Sequence, residues 1–170
     1  ASGITKIGIE ALDTSGLIIS EVAIYSNFDT SSIGVKLNGR EHTSFENVDI
    51  SADRPIVLGN NPNANIDVDH LYCRNLNLNG AAGGTAVEFV GTNMWVTNWI
   101  WEGSSAVTGA QYFIKWFDSG GSIPKGYIVK LSGIRTEQMA SGGWNIYVVT
   151  NLDLFEINGC HLGNADNGIY

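Results

Sequence analysis

The stretch TSFENVDI at residues 43–50 and the stretch LYCRNLNL at residues 71–78 follow one pattern. Thr43, Phe45, Val48 and Ile50 in the first copy take the places of Leu71, Cys73, Leu76 and Leu78 in the second. Alternation of apolar and polar residues marks a strand with one buried face. The two residues between the halves of each copy break the alternation, so the chain must turn there if both halves are to face the same core. Working outward, the pattern precedes this pair as Leu17, Ile19, Val22 and Ile24. It follows as Met94, Val96, Trp99 and Trp101, then Val129, Leu131, Ile134 and Thr136, then Phe155, Ile157, Cys160 and Leu162. The third member falls at 22, 48, 76, 99, 134 and 160, a spacing of roughly one solenoid repeat.

A shorter motif alternates with the first. It runs as Ile7 and Ile9, Ile33 and Val35, Ile56 and Leu58, Val87 and Phe89, Ile114 and Trp116, Ile146 and Val148, and Ile169 opens a further copy. The gaps inside the long motif hold Ser20-Glu21, Glu46-Asn47, Arg74-Asn75, Thr97-Asn98, Ser132-Gly133 and Asn158-Gly159. Asn and Gly at such places suit a backbone turned into the left-handed region. The pattern predicts an all-β fold, a right-handed single-stranded parallel β-helix of about six coils, with equivalent residues stacked at roughly 4.8 Å. An antiparallel sandwich would explain the alternation but not the sixfold return of four apolar positions and a corner. Loops are expected at 60–65, 80–84, 103–109, 120–126 and 140–143. The repeat occupies residues 1–170 as a single unit, and its uncapped ends read as a segment of a longer chain or one sealed by another subunit.

Composition narrows the partners. A net charge of −8 and a pI of about 4.6 argue against binding nucleic-acid phosphates or an anionic membrane surface. No apolar run approaches the roughly 18 residues of a membrane span. Cys73 and Cys160 have no metal-ligand spacing and read as buried free thiols. No phosphate-binding loop, dinucleotide fingerprint, nucleophile elbow or zinc motif occurs, and no cofactor is expected.

Stacking turns outward residues into columns. Glu46 should meet Arg74, Lys130 should meet Glu156, and Glu88 should meet Lys115. Tyr72 and Trp95 take equivalent outward places, a platform on which a sugar ring can stack, or else packing for a loop or a subunit interface. Glu41-His42 and Asp69-His70 fall at one corner of consecutive coils, with Asp67 two residues before Asp69. Neighbouring carboxylates repel, so one is pushed toward the protonated form while the other stays ionised. Glycoside hydrolysis needs such a pair. Glu41, Asp67 and Asp69 are therefore the candidate catalytic acids, with Tyr72, Trp95 and His70 as candidate substrate-binding residues. A hydrated acidic corner or a weak calcium site would use the same residues.

The segments 43–50 and 65–80 also resemble the pectate-lyase-like β-helix superfamily, and within it the central domains of bacteriophage tailspikes and polysaccharide depolymerases. The resemblance lies in coil pattern, and no catalytic residue transfers from it. It implies a homotrimer on the virion, or a secreted bacterial protein, that binds and degrades capsular or O-antigen polysaccharide. The competing expectation is a non-catalytic structural or receptor-binding segment of a viral fibre. Fold alone does not separate the two.

Overall fold

The computed structural model describes residues 6–12, 16–26, 31–38, 42–59, 65–90, 93–97, 99–103, 105–117, 125–149, 151–163 and 165–169. Among them are eighteen strands, numbered in chain order, and no helix. β1 (Ile7–Leu12), β3 (Ile33–Asn38), β5 (Arg54–Leu58), β8 (Thr85–Phe89), β12 (Tyr112–Phe117), β15 (Trp144–Val149) and β18 (Asn167–Ile169) stack in that order as one seven-stranded sheet. The long motif forms a second face from β2 (Ile18–Tyr25), β4 (Thr43–Ala52) and β7 (Leu71–Gly80). That face continues as three broken strands: β10 (Trp99–Glu102) with β11 (Ser105–Thr108), β13 (Lys125–Ser132) with β14 (Ile134–Glu137), and β16 (Asn151–Asn158) with β17 (His161–Leu162). β6 (Asn65–Asp69) and β9 (Asn93–Thr97) add a short leg that joins the first residues of β13. Every pairing is parallel, so the chain is a β-solenoid.

The corner inside the long motif forms as its residues require. Glu21, Asn47, Asn75, Gly103, Gly133 and Gly159 all have positive φ, between 49° and 85°. On the first three coils the column is a side-chain ladder. Asn75 Nδ2 donates to Asn47 Oδ1 at 2.8 Å, and Asn47 Nδ2 donates to Glu21 Oε1 at 2.6 Å. Each rung satisfies a polar group and ties one coil to the next.

The core is one apolar stack between the two faces. Ile19, Phe45, Cys73, Trp101, Leu131 and Ile157 are register partners in turn. Phe45, Cys73, Trp101 and Leu131 are essentially inaccessible, while Val22 on β2 is 37% exposed. Trp101 meets Phe113 edge-on at 5.3 Å, and Trp99 meets Phe89 at 5.4 Å. Each large side chain so buried contributes on the order of 1.5–3 kcal/mol. The thiol of Cys73 lies wholly inside, where burial pushes it up to about 12. Both cysteines are free, and Cys160 is only partly buried.

Two registers differ from the sequence reading. The fourth copy of the long motif is Trp99, Trp101, Ser105 and Val107, because Trp101 pairs with Cys73 and Val107 with Leu78. The corner lies at Glu102 and Gly103, and part of the expected 103–109 loop is strand β11. Three residues separate Trp101 from Ser105 where the other copies have two, and a serine takes an apolar position. Its hydroxyl accepts from the backbone N–H of Leu76 at 3.0 Å and from the Trp101 indole at 2.9 Å, which makes a polar residue tolerable there.

In the seven-stranded sheet, Val35 and Leu37 pair with Ile56 and Leu58, two residues later than expected. Period-two alternation cannot distinguish these registers. A Cβ on Gly34 would lie 2.2 Å from Ile50 Cγ2, so Gly34 faces the neighbouring sheet and not solvent. The outer column there is Glu10, Lys36, Val57, Glu88, Lys115 and Tyr147. Lys36 and Glu10 form an ion pair at 3.0 Å.

Candidate functional site

The corner singled out in the sequence is partly assembled. His42 and His70, register neighbours with φ of 62° and 56°, stack their imidazoles at 4.6 Å with planes 27° apart. Left-handed backbone at both positions turns the chain between the short leg and the long strand. Glu41 lies outside the described residues. Asp67 and Asp69 sit on β6 beside Trp95 and Thr97 of β9, and Trp95 is in turn beside Lys125 of β13. An acid, a tryptophan and a lysine thus share one column.

The expected Tyr72–Trp95 platform is not formed by register. Tyr72 pairs with Ser44 and Ile100, and the corner at His70 separates its strand from that of Asp67. The reason is the shift in the fourth copy, which moves Trp95 onto the short leg. The Tyr72 hydroxyl donates to Glu102 Oε1, and that bond holds the phenol above its ordinary value, with burial adding to the effect. The expected ion pairs are present for Arg74 with Glu46 at 3.6 Å and Lys130 with Glu156 at 3.7 Å. Glu88 is in register with Lys115, but its carboxylate is held by Arg54 at 3.1 Å.

A trough that the sequence reading did not identify lies on the outer surface of the leg after the Asn/Gly corner. Two adjoining depressions of about 470 and 220 Å³ share Asn77 and Ala106 in their walls. The floor is a column of register partners, Asp49, Asn77, Ala106, Arg135 and His161. Four coil steps of roughly 4.8 Å make it about 19 Å long. Ala106 is short among long polar neighbours, and Gly133 and Gly159 leave the adjoining corner without side chains, so the larger of the two depressions lies toward the Arg135 end.

Its polar groups are fixed by one another. Asn77 Nδ2 donates to Asp49 Oδ1 at 2.7 Å, and Asn77 Oδ1 accepts from the Ala106 backbone at 3.1 Å. Glu137 engages Arg135 Nε at 2.6 Å. The 70%-exposed ring of Tyr25 stands at the Asp49 end. Arg135 and His161 directly follow Ile134 and Cys160, equivalent members of the long motif, so their pairing was readable from the sequence. The trough was not, because the fourth copy as expected from the sequence puts Ile100 in the column where Ala106 stands.

Comparison with protein-family models, with curated proteins and with solved structures finds no match for this chain. Among the described residues no helix is long and apolar enough to cross a membrane.

Proposed function

We propose that this chain is a polysaccharide-binding β-solenoid of the tailspike type and that the trough is the face that holds the glycan. The trough itself is the observation that carries the reading. It is elongated along the solenoid axis, and amide, hydroxyl, carboxylate and guanidinium groups line it, with an exposed tyrosine ring at one end. A polysaccharide presents hydroxyls along its length and apolar C–H faces on its rings, and those groups are its complements. Groups already oriented by mutual hydrogen bonds lose little freedom on binding. A bacterial capsular or O-antigen polysaccharide, homotrimeric assembly and a place on the virion follow from the sequence resemblance.

A second reading adds cleavage of the bound chain at the His42–His70 corner, with Glu41, Asp67 and Asp69 as acid and base and Trp95 as a stacking residue. It is favoured by the register of Asp67 with Trp95 on the leg that ends just before His70, whose imidazole stacks on that of His42. In the trough, by contrast, Asp49 is the lining carboxylate among the described residues.

The experiment is titration of purified capsular and O-antigen polysaccharides into the wild type and into Asn77→Ala and Arg135→Ala, followed by assay for new reducing ends and unsaturated uronate. Binding that both substitutions weaken on the order of tenfold is the expected result. Undiminished binding by both folded variants would remove the trough from the reading. Cleavage lost in Asp69→Asn and Glu41→Gln, by about 10²–10⁴ in rate, would establish the second reading. Full activity in both would leave those acids as solvated surface.

A further inference from the structure

The structure assigns a second sugar-binding surface to the outer face of the seven-stranded sheet, formed by Tyr112, Trp144, Tyr147 and Lys115. It rests on the polysaccharide reading but on none of the trough's residues. Tyr112 is the register partner of Trp144, and Lys115 is the partner of Tyr147, so the four side chains occupy two columns on β12 and β15. Between Tyr112 and Lys115, Phe113 and Ile114 are both buried. The alternation is broken there, and residues three apart emerge on the same side, with Lys115 Nζ 5.0 Å over the Tyr112 ring.

The rings do not form a flat apolar sheet. Tyr112 and Tyr147 lie 6.1 Å apart and inclined by 67°, and Trp144 and Tyr147 lie 5.9 Å apart and inclined by 57°. All three are half-buried, so their positions are set by packing. Charge is interleaved with them. Lys115 lies against one ring, and Glu88, its partner on the preceding coil, is paired with Arg54.

This mixture identifies the occupant. The cores of protein interfaces are depleted of charged residues, whereas here an ammonium group lies among the rings with an ion pair beside them. A pyranose unit matches both features, its C–H face against an aromatic ring and its hydroxyls toward lysine, carboxylate and guanidinium groups. The surface would therefore hold a second stretch of the polysaccharide that the trough holds. Engagement at two faces would raise the apparent affinity for a long polymer above that for a short fragment.

The test uses the whole chain and the same panel of purified capsular and O-antigen polysaccharides, read by calorimetric titration of the polymer and of its short oligosaccharides. Tyr147→Ala and Trp144→Ala should each weaken polymer binding on the order of tenfold. Tyr147→Phe, which keeps the ring, should retain it. Melting followed by circular dichroism establishes that each variant is folded, and Lys115→Met, a milder surface change, probes the same site without removing a ring. Wild-type affinity in Trp144→Ala, Tyr147→Ala and Lys115→Met, with binding lost in Arg135→Ala, would overturn this surface and leave the trough intact. Absence of binding by the wild type to any polysaccharide of the panel would overturn both.

Discussion

Replacing Ser105 with alanine tests the register of the fourth coil and the way a polar residue is accommodated in the core. The hydroxyl oxygen is the acceptor for the Leu76 backbone N–H at 3.0 Å and for the Trp101 indole N–H at 2.9 Å. Ser105 is 4% exposed, and Leu76 and Trp101 are fully buried, so water cannot replace the lost oxygen without rearrangement. A stranded buried donor costs about 1–3 kcal/mol, and two of them cost about 2–6 kcal/mol. Against a net stability of about 5–15 kcal/mol, this is a large fraction. At about 2–4 °C per kcal/mol for a chain of this size, Ser105→Ala should lower Tm by roughly 5–20 °C. Equilibrium unfolding in urea, with circular dichroism as the probe, measures the loss directly. A double-mutant cycle with Trp101→Phe isolates the indole's share, because Ser105→Ala should cost less once that donor is gone. A loss below about 0.5 kcal/mol with an unchanged m value would refute the reasoning. It would mean that Ser105 does not occupy the apolar position assigned to it.

Two further outcomes follow from the corner and the buried thiol. Gly133→Ala should destabilise by about 1–3 kcal/mol more than Gly159→Ala in the same unfolding assay. Both positions have left-handed φ, but a Cβ at 133 would lie 2.4 Å from the Gly103 carbonyl oxygen while one at 159 meets nothing within 4 Å. Equal losses would show that the close approach is relieved at no cost. Cys73 has a folded-state value of about 12 against an ordinary 9.0, so its contribution is fully present below pH 9 and is lost between pH 9 and 12, as the unfolded thiol ionises and the buried one cannot. Over that window the wild type should lose up to about 1.4 kcal/mol per pH unit relative to Cys73→Val, a difference that parallel urea titrations at pH 8 and pH 10.5 would reveal. An identical pH dependence in the two proteins would place the thiol in contact with solvent.

The apolar positions at 17–24, 43–50 and 71–78, with Asn or Glu between their halves, already contain the parallel solenoid. A strand's buried face and a left-handed corner depend on local chemistry, and both repeat without reference to the rest of the chain. The ion pairs of Glu46 with Arg74 and of Lys130 with Glu156 were legible for the same reason. Register was legible only where one spacing held. Ile33, Val35 and Leu37 alternate without a break, so the pattern alone leaves open whether Ile33 and Val35 or Val35 and Leu37 match Ile56 and Leu58. The fold pairs the latter, with Gly34 turned toward Ile50 on another sheet. At the fourth coil the pattern favoured Met94 to Trp101, and Ser105 could be inward only because Leu76 and Trp101 supply donors from elsewhere in the fold. The candidate sites depended on that shift. It separates Tyr72 from Trp95, places Trp95 beside Asp67, and sets the small Ala106 between Asn77 and Arg135, where the trough opens. Local alternation determines which side chains face inward. Tertiary packing, by choosing among registers of nearly equal apolar burial, determines which outward side chains become neighbours.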